Sequence, residues 1–285
     1  MAVTKERFLI ATGSLLEYAS VTATNESESM PASNLLLPHP ADWFVSPAPY
    51  GLEVTVGLDL EDGESWDFLA PLYANFGPSC TWWATAASSE AGLASPSFET
   101  DPVPGQLSAA LDHRSHEWVH SFCWGESDAW QGQGARTEGW IRFHVNTVDP
   151  KMPRGYDGPA FLQWGNIWVS KAWQPPYHVD KGSKQRRDEN PLRAKMLSGS
   201  TRVGPRRRPR KAGYSVGFLT RDEGLQFVDE LDRRVGESGH VVTIFDPYDL
   251  EHFHREMIYG TIDSTDRIHV DTDVYRKPVT VNEAL

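Results

Sequence analysis

The segment His116-Glu117-Trp118-Val119-His120 spells the H-E-x-x-H pattern. On an α-helix, residues four apart share a face. Both imidazoles could then converge on one zinc ion, with the glutamate as general base. Glu138 lies downstream at a separation that suits a third ligand, and the chemistry would be metal-assisted hydrolysis. In a strand the two histidines also share a face, but about 13 Å apart, too far to hold one ion. The neighbours favour the strand: Trp118, Val119, Phe122, Cys123 and Trp124 form no single helical stripe, and Gly125 follows at once. The expectation is a strand with half-exposed histidines and no metal.

Asp112, His113 and His116 could form a base and its orienter, but no serine or cysteine sits in a nucleophile-elbow context. The phosphate-cradling patterns G-x-x-x-x-G-K-[ST] and G-x-G-x-x-G are absent, and Gly132-Gln133-Gly134 reads as a flexible turn. Asp246-Pro247-Tyr248-Asp249 with Glu251 is acidic, but lacks the regular ligand spacing of a calcium loop. No catalytic residue, cofactor or metal is expected, and the chain does not read as an enzyme. The residue best placed to touch a ligand or partner is Trp130. It is expected to be exposed because it sits in the Gly- and Gln-rich loop 127–136. Most of the 11 tryptophans should be core.

The chain has 285 residues, enough for one large or two modest domains, and a net charge of −12. The charge is uneven. Between Lys171 and Tyr214, 13 lysines and arginines stand against 3 acidic residues, about +10, so the remainder carries about −22. The acidic total argues against nucleic acid as a partner. The basic run centred on Arg206, Arg207, Arg208, Arg210 and Lys211 reads as a linker or a strap that docks on an acidic surface. Two cysteines, Cys80 and Cys123, are too few for a disulfide framework and are expected as buried thiols. No apolar run approaches the length of a membrane span. The charged amino terminus does not look like a signal peptide, so use without export is the expectation.

Residues 52–60 alternate apolar and polar as a half-buried strand does, and 7–11, 80–87, 117–124, 139–145 and 161–169 add further strands. Short strands separated by Pro/Gly turns predict a β-sandwich or jelly roll over 1–174. Residues 175–212 carry few large apolar side chains and read as an extended basic tether. Residues 213–285 read as a small α+β unit. A strand at 214–219 leads into a helix opened by a Thr220/Glu223 capping box, striped by Leu225, Val228, Leu231 and Val235, and ended by Gly236. Strands at 240–245, 255–262 and 267–274 follow, then a tail at 278–285. The fold class predicted is mainly β.

Several segments, taken in order, resemble one family. Pro31-Ala32-Ser33-Asn34-Leu35 followed by 38–44 resembles the entry of the discoidin-like (galactose-binding-like) jelly roll in tail proteins of long-tailed bacteriophages. Residues 136–145 resemble its central strand. Gly165-Asn166-Ile167-Trp168 through Trp173-Gln174-Pro175 resembles its last strand and exit. Ser198-Gly199, the arginine-rich run, Tyr214-Ser215-Val216-Gly217-Phe218, a helix near Asp222-Glu223, Asp246-Pro247 and Ile258-Tyr259-Gly260 then appear in the family's order. The family is the distal-tail or baseplate minor tail proteins, and the resemblance covers nearly the whole chain. It implies a virion structural protein at the tail tip, made in the host cytoplasm. Copies would form a homo-oligomeric ring or collar between the tail tube and the hub and fibre proteins, with the jelly roll facing outward. Some related domains bind carbohydrate, so contact with a host-surface glycan is the alternative implied. The basic tether and the carboxy-terminal unit would make the subunit contacts.

Overall fold

The computed structural model describes residues 8–39, 42–48, 50–77, 79–105, 120–146, 150, 152, 157–175, 177, 179–180, 183–187, 192–195, 201–204, 209–224, 231, 233, 235–236, 239–249, 256–263, 268–271 and 274–284. The strands run β1 (Leu9–Thr12), β2 (Ser20–Ala23), β3 (Phe44–Ser46), β4 (Leu52–Gly57), β5 (Phe68–Leu72), β6 (Thr81–Ala87), β7 (Phe98–Glu99), β8 (Val103–Pro104), β9 (Cys123–Trp124), β10 (Trp140–Asn146), β11 (Leu162–Trp164) and β12 (Asn166–Trp173). Then come β13 (Lys184–Arg187), β14 (Leu192–Lys195), β15 (Thr201–Gly204), β16 (Arg210–Leu219), a helical turn α1 (Arg221–Glu223), β17 (His240–Ile244), β18 (Ile258–Asp263), β19 (Ile268–Asp271) and β20 (Val274–Glu283). The protein is mainly β, as the alternating strands predict.

Two sheets carry the architecture. A six-stranded sheet has the order β2-β4-β10-β6-β7, with β8 also on β6. A ten-stranded sheet has the order β13-β16-β20-β18-β17-β1-β12-β5-β9, with β19 also on β20. The pairs are antiparallel throughout, so each strand can bury one face and wet the other. The six-stranded sheet turns Val54, Val56, Trp82, Ala84, Ile141, Phe143 and Val145 inward, where they meet Leu69, Ile167 and Val169 of β5 and β12. This is the sandwich core.

The sandwich is not a separate body on a tether. β1 pairs with β12 on one side and with β17 on the other, so the first strand of the chain splices the roll to the carboxy-terminal unit. Its alternation serves two cores. Leu9 and Ala11 join Phe68, Trp168, Val242 and Tyr259, whereas Ile10 joins Tyr214, Val216, Val241 and Val281. A mismatch at β1 would damage both halves.

The described residues of 175–212 also form strands where an extended tether was expected. β13 pairs with the first half of β16, β14 with β15, and the proposed boundary before Gly213 falls inside β16. Of the segment 278–285, read as a tail, residues 278–283 instead form the second half of β20. Pro278 obscured this strand, since proline lacks a ladder donor. It is tolerated because the flanking partners stop short: β19 pairs with Val274–Arg276 and β18 with Thr280–Glu283, leaving Pro278 opposite β16 alone.

The helix begins as the sequence dictates. The Thr220 side chain accepts from the Glu223 N–H, and the Glu223 carboxylate accepts from the Thr220 N–H. Leu231 and Val235 are buried, and Gly236 takes the left-handed φ of 55° that suits a helix terminus. Leu225 and Val228 lie outside the described residues.

Candidate functional site

Trp130 is not an exposed contact. It has no solvent exposure, its Nε1–H donates to Gly134 O at 2.8 Å, and its ring packs on Trp66 and Phe98. The glycines around it lead the sequence reading astray. Gln131, Gly132 and Gly134 hold φ near 55–69°, and that sharp turn folds the indole back into the sandwich core.

The basic strap also changes character. Arg206, Arg207 and Arg208 lie outside the described residues. Arg210 and Lys211 open β16. Arg210 is buried, and its Nε donates to Glu283 Oε1 at 2.7 Å across the β16–β20 pair. Lys211 Nζ reaches Asp263 Oδ2 at 2.7 Å and holds that carboxyl below its ordinary pKa. These two cations are therefore used within the fold.

Of the groups a zinc site would need, His116 and Glu117 lie outside the described residues, as do Asp112 and His113. His120 is buried, and its Nδ1 accepts from the Tyr73 N–H at 3.3 Å. Glu138 is engaged by Arg136 and by the Ser97 hydroxyl. Among the described residues no three His, Cys, Asp or Glu side chains come together as a metal site. Asp246 Oδ1 accepts from the Tyr248 N–H, a local turn, and Glu251 lies outside the described residues. Both cysteines are buried and free, and desolvation raises the Cys123 thiol well above its usual range.

The outer face of the six-stranded sheet gathers groups that the linear sequence scatters. The register aligns Thr22, Thr55, Arg142, Thr85 and Glu99 in one row across five strands. Since neighbouring strands lie about 4.8 Å apart, that row spans about 19 Å. On one side, Glu53, His144 and Trp83 form a parallel row, with the His144 ring stacked on Trp83 at 4.9 Å and 8°. On the other side Trp140 stands between Gly57 and Ala87. A Cβ on Gly57 would come within 3.0 Å of the Trp140 ring, so the glycine is what lets that indole lie across β4.

The floor is knit by polar contacts. Arg142 Nε donates to Thr55 Oγ1 at 3.2 Å, and Thr85 Oγ1 lies 3.1 Å from His144 Nε2. Glu53 stands 3.6 Å from Arg142 and 3.5 Å from His144. Burial lowers the His144 pKa, and Glu53 only partly offsets this. At its Glu99 end the row opens into a cleft of about 360 Å³, lined also by Ser97, Thr100, Asp101, Gln131 and Gln133. Aromatic walls around a polar floor can bind and orient a ligand. The alternation Trp140, Arg142, His144 against Ile141, Phe143, Val145 shows one strand of this face in the sequence. The cross-strand register that adds Trp83 and Glu53 is not visible there.

No family model matches the chain, and no curated protein matches it. Solved structures do. The chitosan-binding module 1 of a chitosanase/glucanase from Paenibacillus sp. IK-5 shares 14% identity over 55% of this chain and 97% of its own length, with a TM-score of 0.35. The family 32 carbohydrate-binding module of C. perfringens NanJ, solved with galactose, shares 12% over 55% and 97%, with a TM-score of 0.36. A third module of that type, from a family 31 glycoside hydrolase of Clostridium perfringens, shares 10% over 54% and 96%, with a TM-score of 0.37. Likeness at this level carries no argument about the ligand of this chain.

Proposed function

We propose that the protein is a non-catalytic structural component of the tail tip of a long-tailed bacteriophage. Copies of it would form a ring or collar that joins the tail tube to hub and fibre proteins. The observation that carries this reading is the order of the family-like segments. Tyr214–Phe218, the Thr220/Glu223 cap, Asp246-Pro247 and Ile258-Tyr259-Gly260 follow one another as β16, α1, the turn after β17 and β18. All the strands of this unit in the ten-stranded sheet connect through β1 to the roll. Such a splice suits a part that mounts an outward module firmly. A surface for neighbours is available on the same unit. Tyr177 and Phe218 pack edge to face while 61% and 64% exposed, and Phe218 holds a left-handed φ of 56° at a bulge in β16. A bulky residue in that conformation is strained, and strain of this kind is kept where a side chain must be aimed outward. Mass spectrometry of purified particles, with electron microscopy of their tail tips, tests the proposal. Several copies per tail support it. A protein absent from particles, or monomeric with all tail components present, overturns it.

A second reading, contact with carbohydrate, is favoured by the aromatic-walled polar face of the six-stranded sheet. The two readings are compatible, because that face lies on the opposite side of the six-stranded sheet from the sandwich core and takes no part in the β1 splice.

A further inference from the structure

We propose that the outer face of the six-stranded sheet binds a neutral oligosaccharide lying across the strands, from Thr22 at one edge to Glu99 and its cleft at the other. The inference rests on the carbohydrate reading above and gives it a site, a direction and a ligand class.

Three features point to a sugar chain. First, Trp83 and Trp140 are part-exposed on one sheet face, two rows apart on either side of the Thr–Arg–Thr floor. Neither indole N–H has a hydrogen-bond partner among the described residues, so each offers a donor beside an apolar ring. The C–H face of a pyranose packs on such a ring while its hydroxyls reach Arg142 between them; Thr55 and Thr85 are buried and already hydrogen-bonded. Second, the row supplies a donor in Arg142 and an acceptor in Glu99. Arg142 uses Nε on Thr55 and keeps further N–H groups, and the Glu99 carboxylate accepts no hydrogen bond from a described residue. Third, the row of about 19 Å is too long for one sugar and open at both ends, which suits a chain segment.

The charges select the ligand. Glu53, Glu99 and Asp101 contribute three carboxylates. Against them stand Arg142, already facing Glu53, and His144, whose burial favours the neutral ring. An acidic glycan would meet net negative charge, whereas a neutral one meets only hydrogen-bonding groups.

The test titrates the full chain with cellohexaose, maltohexaose and laminarihexaose, and with a galacturonic-acid oligomer as the acidic control, read by calorimetry. At least one neutral hexamer should bind, and the uronate should not. Trp83→Ala and Trp140→Ala should each weaken binding roughly tenfold or more, with far-UV circular dichroism unchanged, and Trp83→Phe should retain most of it. Binding of none of the neutral hexamers overturns both this inference and the carbohydrate reading. Binding that survives both tryptophan variants but fails in Gln131→Ala/Gln133→Ala overturns this face alone and moves the site to the cleft. Equal affinity for the uronate overturns the ligand class.

Discussion

Trp82 and Trp83 are adjacent in one strand and live in different surroundings. Trp82 is fully buried, its Nε1–H donates to Ser121 Oγ at 2.8 Å, and its ring packs on Phe143. Trp83 lies on the outer face and stacks on His144. The period-two geometry of a strand assigns them opposite roles from identical chemistry. An aromatic residue is therefore core or contact surface by parity, and the type of loop or strand around it decides nothing. Trp130 makes the same point from a loop: its polar neighbours predict exposure, yet the turn sends it inward.

The largest expected effect separates that pair. Trp82→Ala should cost about 3–5 kcal/mol in urea unfolding, because it leaves a large void and removes the indole donor to Ser121 Oγ, which keeps only its bond to Pro104 O. Trp83→Ala should cost about 1 kcal/mol or less. Equal losses would erase the distinction between the two faces.

The next effect contrasts two arginines on opposite sheets. Arg210 and Glu283 have side chains only 10% and 6% exposed, so Glu283→Ala removes a buried carboxylate from beside the guanidinium and should cost about 3 kcal/mol. The pair of Arg142 with Glu53, at 26% and 40% exposure, should give a coupling below about 1 kcal/mol in a double-mutant cycle.

A smaller effect is read by pH. For Glu138, burial alone would raise the pKa, but hydrogen bonds from Arg136 and Ser97 hold it below its ordinary value; the hydrogen bond from Lys211 lowers Asp263. Their contribution to stability is present above about pH 4 and is lost as pH falls through the depressed folded values. Burial lowers both His144 and His240. The unfolded chain then takes up protons first as pH drops below about 6.5, so stability declines from there towards the lower folded values. Denaturant midpoints followed from pH 8 to pH 3 should fall in these two stages. His144→Gln should remove part of the upper stage.

The smallest effect is at Phe218. Phe218→Gly relieves the left-handed strain at the bulge and should shift stability by no more than about 1 kcal/mol, measured by thermal unfolding.

The sandwich strands β4 and β10 were legible because alternation records which face is buried, and β6 because it is a short apolar run. The capping box fixed the start of the helix for the same local reason. β13 and the full length of β20 were not legible. β13 is lysine and arginine with a glutamine and carries no apolar stripe, and in β20 the stripe of Tyr275, Val279 and Val281 is interrupted by Lys277 and masked by Pro278. Their pairing is set by β16, which lies far from β20 along the chain. The outer face was half legible. Trp140, Arg142 and His144 follow from one strand, but Trp83, Glu53 and Glu99 join them only through register.

Hydroxyl-radical footprinting of the protein, isolated and within assembled phage tails, tests the account most directly. Assembly should protect Phe218 of β16 and Tyr177 packed on it, and leave Trp83 and Trp140 as oxidisable as in the free chain. Protection of the two tryptophans with Tyr177 and Phe218 unchanged would contradict it.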